Sequence, residues 1–220
     1  MKSYPLMIKL DGKRCLIVGG GQVAERKIKG LLQTGAEILV VCIQCTERIR
    51  EWAEQGKLHL VLRAFREEDV QDAMVIIAAT DKPEINLQVY RAASACPLVN
   101  IVDRPDLCTF TVPSTVERGD IQIAISTGGN YPGLSMKLRK QFEQWIGPEY
   151  EAYITFLGEM RKKILALGFK SQDKRALLKQ MLDDRFLTWT KERQLERRNS
   201  EAEKLIREAV IRSEQSQLKK

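Results

Sequence analysis

Residues 15–27 read CLIVGGGQVAERK: an apolar run, three successive glycines, then a stretch able to wind into a helix. Within it, Gly19-Gly20-Gly21-Gln22-Val23-Ala24 fits G-x-G-x-x-A, directly after a predicted strand and directly before a predicted helix. In that setting each small residue has a mechanical reason. Gly19 permits the tight turn, Gly21 lets the backbone approach a pyrophosphate, and Ala24 lets the helix pack closely on the strand. The helix N-terminus adds unpaired N–H groups and a partial positive charge. The stretch predicts a dinucleotide site on the first crossover, set against a purely structural turn.

Working outward, short β-rich runs recur: RCLIV (14–18), EILVVC (37–42), LHLVL (58–62), MVIIAAT (74–80) and PLVNIV (97–102). Between them lie VAERKIKGLLQTG, TERIREWAEQG and PEINLQVYRAASAC, with apolar residues at helical spacing. Repeated β-α-β units whose strands are apolar almost throughout predict a parallel sheet covered on both faces, the Rossmann-like α/β class. After Val102 the texture changes. TFTVPSTV (109–116) and IQIAIST (121–127) flank Glu117-Arg118-Gly119-Asp120, which predicts a β-hairpin turning on those four residues. Then LSMKLRKQFEQWI predicts an amphipathic helix with Leu134, Leu138, Phe142 and Trp145 at core spacing. From about Pro148 the chain reads as helical, with breaks expected at Gly168–Ser171 and near Asn199-Ser200. The last thirty or so residues mix both charge signs and read as a solvated helix or frayed tail rather than a binding tail.

Composition narrows the class. With 44% hydrophobic and 30% charged residues among 220, a disordered chain is excluded. No apolar stretch reaches the roughly 20 residues of a bilayer span, and Lys9 and Asp11 interrupt the start of the chain, so neither a membrane partner nor a signal peptide is expected and the protein reads as cytoplasmic. The five cysteines make no disulfide framework. Cys42-Ile43-Gln44-Cys45 is a CxxC, either incidental or a redox or metal pair, but it lacks a second pair for a zinc site. The one histidine, His59, reads as a strand residue with a satisfied hydrogen bond rather than a metal ligand. A formal net charge of +7 favours anionic partners. Without an aromatic platform or recognition helix, nucleic acid is not expected among them.

Two carboxylates fall at strand ends. Asp81, before Lys82-Pro83, reads first as the N-cap of PEINLQVY. Asp103 follows the fifth run, where a nicotinamide ring would project, and is either a general base or a residue held by Arg104 or capping a turn. The Gly128-Gly129 pair beside Ser126 and Thr127 forms an anion-accepting loop. At the second strand's end no acid is present to hold a ribose hydroxyl; Gln44 takes that place, so NAD over NADP does not follow from charge.

The combination CLIVGGGQVAERK, AATDKPEIN, VNIVDRPDLCTFTVPS and IAISTGGNYPGLSMKLR resembles the precorrin-2 dehydrogenase family, including the N-terminal part of multifunctional siroheme synthases and their stand-alone relatives. The resemblance covers about Pro5 to Trp145 closely and the remainder loosely. It implies NAD-dependent oxidation of precorrin-2, a polycarboxylate tetrapyrrole, to sirohydrochlorin on the way to siroheme, by a homodimer. In some members the same site also inserts Fe2+. The catalytic residue of the family falls on Asp103. Its cofactor contacts fall on Gly19, Gly21, Gln22, Val23, Ala24, Ile43, Gln44 and Thr80, and its substrate contacts on Asn100, Ser126, Thr127 and Gly128, with no resident metal ligand. The division implied is 1–112 for the NAD-binding domain, 113–147 for the hairpin and helix of dimerisation, and 148–220 for a helical domain with a charged tail. Two places depart from the family pattern: Ser126-Thr127 replaces a serine pair, and Cys-Ile-Gln-Cys replaces an Ala-Pro turn. At 220 residues the chain is expected to lack the methyltransferase domain, so that methylation comes from another protein. A rival reading is a non-catalytic NAD-sensing regulator whose helical tail binds DNA or a partner. It would survive loss of Asp103.

Overall fold

The computed structural model describes residues 3–218, and the chain divides after Val112 into two compact units. In the first, strands and helices alternate as β1 (Arg14–Val18), α1 (Gln22–Leu31), β2 (Glu37–Cys42), α2 (Glu47–Glu54), β3 (His59–Leu62), β4 (Val75–Ala78), α3 (Pro83–Ala92) and β5 (Leu98–Ile101). The strands form one parallel sheet of order β3-β2-β1-β4-β5. Strand order reverses between β1 and β4, and a ligand crevice lies outside the carboxyl ends of such a pair.

The apolar texture of the strands follows from burial on both faces. Leu16 and Val18 of β1 pack with Val41, Ile76 and Val89 on one side; Cys15 and Ile17 pack with Ala24, Ile28, Ile49 and Trp52 on the other. Burying each such aliphatic side chain stabilises the fold by about 2 kcal/mol. The outer strands are shorter than their apolar runs. Leu58 is buried but precedes β3, and His59 stands exposed at the start of that edge strand, where its side chain makes no hydrogen bond to the described residues, contrary to expectation.

The second unit opens with the hairpin β6 (Ser114–Arg118) and β7 (Ile121–Ile125). The hairpin is present, but its turn is tighter than expected. Arg118 pairs with Ile121, leaving only Gly119 and Asp120 to turn, with Gly119 at φ +55°. Glu117 and Arg118 are ladder residues rather than turn residues, and Thr109–Pro113 lies outside any strand. A two-residue connection suits the strand twist when its first residue takes positive φ. The Arg118 guanidinium then donates to Ile146 O at 3.1 Å and Glu143 O at 3.3 Å, satisfying carbonyls at the end of α4 (Pro132–Trp145).

The apolar stripe of α4 is not core within the chain. Leu134 is 44% and Trp145 67% exposed, and Leu138 and Phe142 are only half-buried. The core of this unit comes instead from α5 (Glu149–Ala166), α6 (Ser171–Gln180), α7 (Asp184–Lys191) and α8 (Leu195–Leu218), around Phe156, Met160, Ile164, Met181 and Phe186. The break at 168–171 occurs, but the one expected near Asn199-Ser200 does not. Helix α8 runs through it, and the chain bends instead at 181–183 and 192–194. Ala202 and Ile206 bury into the core, and Arg198 places its guanidinium 4.2 Å over the Phe156 ring. The early part of the charged tail is therefore structural, its apolar residues spaced four apart between charges.

Candidate functional site

At the carboxyl ends of β1, β2 and β4 a cleft of about 680 Å³ opens, lined by the glycine turn, residues 41–46, Arg63–Phe65 and Ala79–Lys82. Gly19 sits at φ +120°, and a Cβ there would stand 2.3 Å from Ala79 O, so no other residue fits without moving β4. Gly20, the variable position of the motif, is as constrained. A Cβ on it would meet Gln44 O at 2.2 Å and Cys42 Sγ at 2.9 Å. The sequence pattern passes over this residue because its constraint comes from the neighbouring β2–α2 loop, whose Thr46 N–H donates to Gly20 O at 2.9 Å. Gly21 faces open space. It is the N-cap of α1 and has no side-chain cap, and the first intrahelical bond reaches it only from Glu25 N–H. The N–H groups at the start of the helix are thus left for a ligand, and the missing Cβ on Gly21 leaves room for a diphosphate. The chain's own residues fit a dinucleotide here.

The other expected cofactor residues divide. Ile43 and Gln44 are exposed on the cleft wall after β2, and Thr80 lines it after β4. Gln22 and Val23 belong to the first turn of α1 and are absent from the cleft lining; Ala24 is fully buried, so its contribution is helix–strand packing. Asp81 does not cap α3. The capping position is Lys82, and the turn is organised by Thr80, whose Oγ1 accepts Lys82 N–H at 3.2 Å and lies 2.8 Å from Asn86 Oδ1. Asn86, buried in α3, also accepts Thr80 N–H at 3.1 Å and returns its amide to Thr80 O at 3.1 Å. A buried asparagine on the apolar face of a helix is the signal that could have found this clamp.

Arg63 adds a cation to the cleft wall. Its guanidinium grips Asp69 at 2.6 and 2.8 Å, and Arg66 N–H donates to the same carboxylate at 2.9 Å. The Arg63 hydrogen bond, ahead of the opposing effect of burial, holds the Asp69 carboxyl below its usual range. Cys42 and Cys45 share the wall. Burial first, then the neighbouring Cys45, push the Cys42 thiol up to about 11.

Asp103 lies one residue beyond Val102, whose N–H still pairs with Ala78 O at 2.9 Å at the edge of β4. Its carboxylate is exposed at the sheet's carboxyl edge, two strands from β1, and among the described residues it makes no hydrogen bond or ion pair. The reading that Arg104 holds it is excluded by geometry. Arg104 turns to Asp106, at 3.0 and 2.7 Å. Asp103 adopts φ +63°, the left-handed region, which Asp tolerates better than most non-glycine residues. The loop is closed at its base by Cys108, whose Sγ accepts Ile101 N–H at 3.2 Å and lies 3.3 Å from Arg104 O. Asn100 belongs to this support rather than to a substrate surface: it is buried and donates to Phe110 O at 3.0 Å.

Ser126, Thr127 and Gly128 lie in the second unit, between β7 and α4. Ser126 Oγ accepts Gly128 N–H at 3.2 Å and Thr127 Oγ1 donates to Tyr131 O at 3.1 Å, with Gly128 and Gly129 at φ +62° and +82°. Among the described residues no group of three or more His, Cys, Asp or Glu side chains could hold a metal ion, and no helix is long and apolar enough to cross a membrane.

The sheet order and the open glycine turn define a dinucleotide-binding α/β protein. Family profiles agree along the chain: "Putative NAD(P)-binding" matches residues 6–114, "Sirohaem biosynthesis protein central" 118–144, and "SirC C-terminal domain" 150–195. A solved structure described as SirC, precorrin-2 dehydrogenase, is similar with a TM-score of 0.77 and 30% identity, over 90% of this chain and 100% of that one. The siroheme synthase of Nitrosococcus oceani is 38% identical over 165 residues, 74% of this chain and 35% of that protein. That of Pseudomonas fluorescens is 35% identical over 211 residues, 96% of this chain and 45% of that protein. The chain thus spans less than half the length of these synthases. It belongs to the precorrin-2 dehydrogenase family.

Proposed function

We propose that the protein is an NAD-dependent dehydrogenase that oxidises precorrin-2 to sirohydrochlorin, a step of siroheme biosynthesis, and that it works as a homodimer in the cytoplasm. The observation that carries this reading is Asp103: an unpaired carboxylate, held in a left-handed turn, at the carboxyl edge of the sheet that also carries the open glycine turn. NAD+ supplies the hydride acceptor. Free N–H groups at the start of α1 would hold its diphosphate, with Gly21 leaving the space for it, and Ile43 and Gln44 would line its adenosine side. As a hydride leaves a saturated carbon of the macrocycle, Asp103 accepts the proton released with it and passes it to water. The net charge of +7 favours a polycarboxylate substrate.

Anaerobic incubation of the purified protein with precorrin-2 and NAD+ is expected to give NADH and sirohydrochlorin in equal amounts, followed by absorbance. Intact substrate and no NADH under saturating cofactor would reject the reading.

A further inference from the structure

We infer that Cys42 and Cys45 form a reversible dithiol–disulfide site in the wall of the dinucleotide cleft, and that its oxidation by a small-molecule disulfide weakens dinucleotide binding. The coupling to binding rests on the cofactor reading above; the disulfide itself does not.

Position is the first argument. Both thiols line the cleft as neighbours, with only Ile43 and Gln44 between them in sequence. These two residues are the exposed wall after β2 where the adenosine half of a dinucleotide would lie. A bond between the sulfurs would close them into a small ring and change the course of their backbone.

The second argument is how tightly that backbone is tied to the glycine turn. Gly20 has no space for even one additional carbon against Gln44 O and Cys42 Sγ, and Thr46 N–H is bonded to Gly20 O at 2.9 Å. Thr46 is in turn the N-cap of α2, its Oγ1 accepting Ile49 N–H at 3.3 Å. A loop so clamped transmits a change in its geometry to the turn that receives the diphosphate. Packing of this kind has discrete arrangements rather than a continuous range.

The chemistry gives each sulfur a separate part. Cys45 is half-buried and meets the reagent first; Cys42 is buried and stays protonated until the second step. The Cys45 thiolate attacks a disulfide such as oxidised glutathione, forming a mixed disulfide and expelling one glutathione thiolate. The Cys42 thiolate then attacks the Cys45 sulfur, forming the Cys42–Cys45 bond and expelling the second. Two protein thiols are oxidised, one glutathione disulfide is reduced to two thiols, and the two protons pass to those thiolates. A high thiol pKa at Cys42 makes the second step slow at neutral pH and faster as pH rises. Cys15 is also pushed up to about 11, by burial and then by Cys96, but it is fully buried in β1 and serves as an internal control.

The test uses the reduced full-length protein treated with oxidised glutathione, with and without saturating NAD+. Digestion at Lys and Arg places Cys42 and Cys45 together in the peptide of residues 30–48, away from the other three cysteines. That peptide is expected to lose about 2 Da, more slowly with NAD+ bound, while the Cys15 peptide stays unchanged. Calorimetry should then show NAD+ binding at least about tenfold weaker, restored by dithiothreitol. The Cys45→Ser protein should show the same NAD+ affinity before and after treatment. Absence of the mass loss, or a disulfide that leaves NAD+ affinity unchanged, overturns the inference. A reduced protein that binds no NAD+ overturns the cofactor reading instead, and the mass loss still reports on the disulfide.

Discussion

Asp103 combines an exposed, unpaired carboxylate with a backbone conformation that costs an ordinary L-residue about 1–2 kcal/mol. Substitution there mixes two effects, charge and conformation, unless the replacement shares the same tolerance for positive φ. Asn does, so Asp103→Asn removes the proton acceptor while leaving the turn intact. The expected outcome is a fall in kcat of at least about 100-fold, the usual contribution of a general base, with NAD+ affinity within about twofold of wild type. Stopped-flow NADH formation and calorimetry measure the two. Equal losses in both would place Asp103 in binding rather than in chemistry. The residue was legible as a candidate because it ends an apolar strand run. Its freedom from Arg104 was not, because Arg104–Asp106 and Arg104–Asp103 are equally plausible from spacing and only the short helical turn at Pro105–Leu107 selects the former. Gly20 was illegible for a related reason: its neighbour Gln44 is distant in sequence and brought close only by the β1–β2 pairing.

At the scale of elements, β1 and β2 could be read to the residue, since parallel strands buried on both faces leave an unbroken apolar signature. Edges are harder. The hairpin register depended on the two-residue turn at Gly119, which shifts Glu117 and Arg118 from turn into ladder. The segment from β3 through Glu67–Val70 carries another element-scale device, because Arg63, in the cleft wall, is fixed by the Asp69 carboxylate at the end of a short helical turn. Asp69 has a lowered pKa in the folded chain, so its contribution to stability is present above the ordinary carboxylate pKa and is lost as pH falls through the lowered value. Asp69→Asn is therefore expected to reduce the melting midpoint by about 3 °C at pH 7, with the gap to wild type narrowing below about pH 4. Thermal melts at several pH values check it. A gap independent of pH would mean that the asparagine disturbs packing rather than the ion pair.

For the molecule as a whole, the sequence reading of α4 was right about amphipathicity and wrong about where the apolar face goes. Periodicity reports that a face will be covered and cannot report by which chain. Leu134, Leu138, Phe142 and Trp145 recur at intervals of four, four and three, with the Phe142 and Trp145 rings 5.9 Å apart, yet both ends of the stripe are exposed. Tyr131 and Met136 add further apolar surface at the start of the helix, 68% and 54% exposed. A second copy is the occupant that the homodimer reading calls for, since an isologous contact lets one helix face meet itself. Such interfaces rest on a few aromatic anchors near their centre, so placing carboxylates on the stripe should separate the subunits far more than it unsettles a surface helix. The double substitution Leu138→Glu and Trp145→Glu is expected to weaken self-association at least about 100-fold, turning a dimer at micromolar concentration into a monomer by sedimentation. NAD+ affinity should be retained, because the cleft is built wholly from residues before Val112. Loss of NADH formation in that monomer would mean that the tetrapyrrole is held by residues of both subunits; full activity would confine the reaction to one. A wild-type protein that sediments as a monomer would reject the dimer and leave the stripe on α4 to another partner.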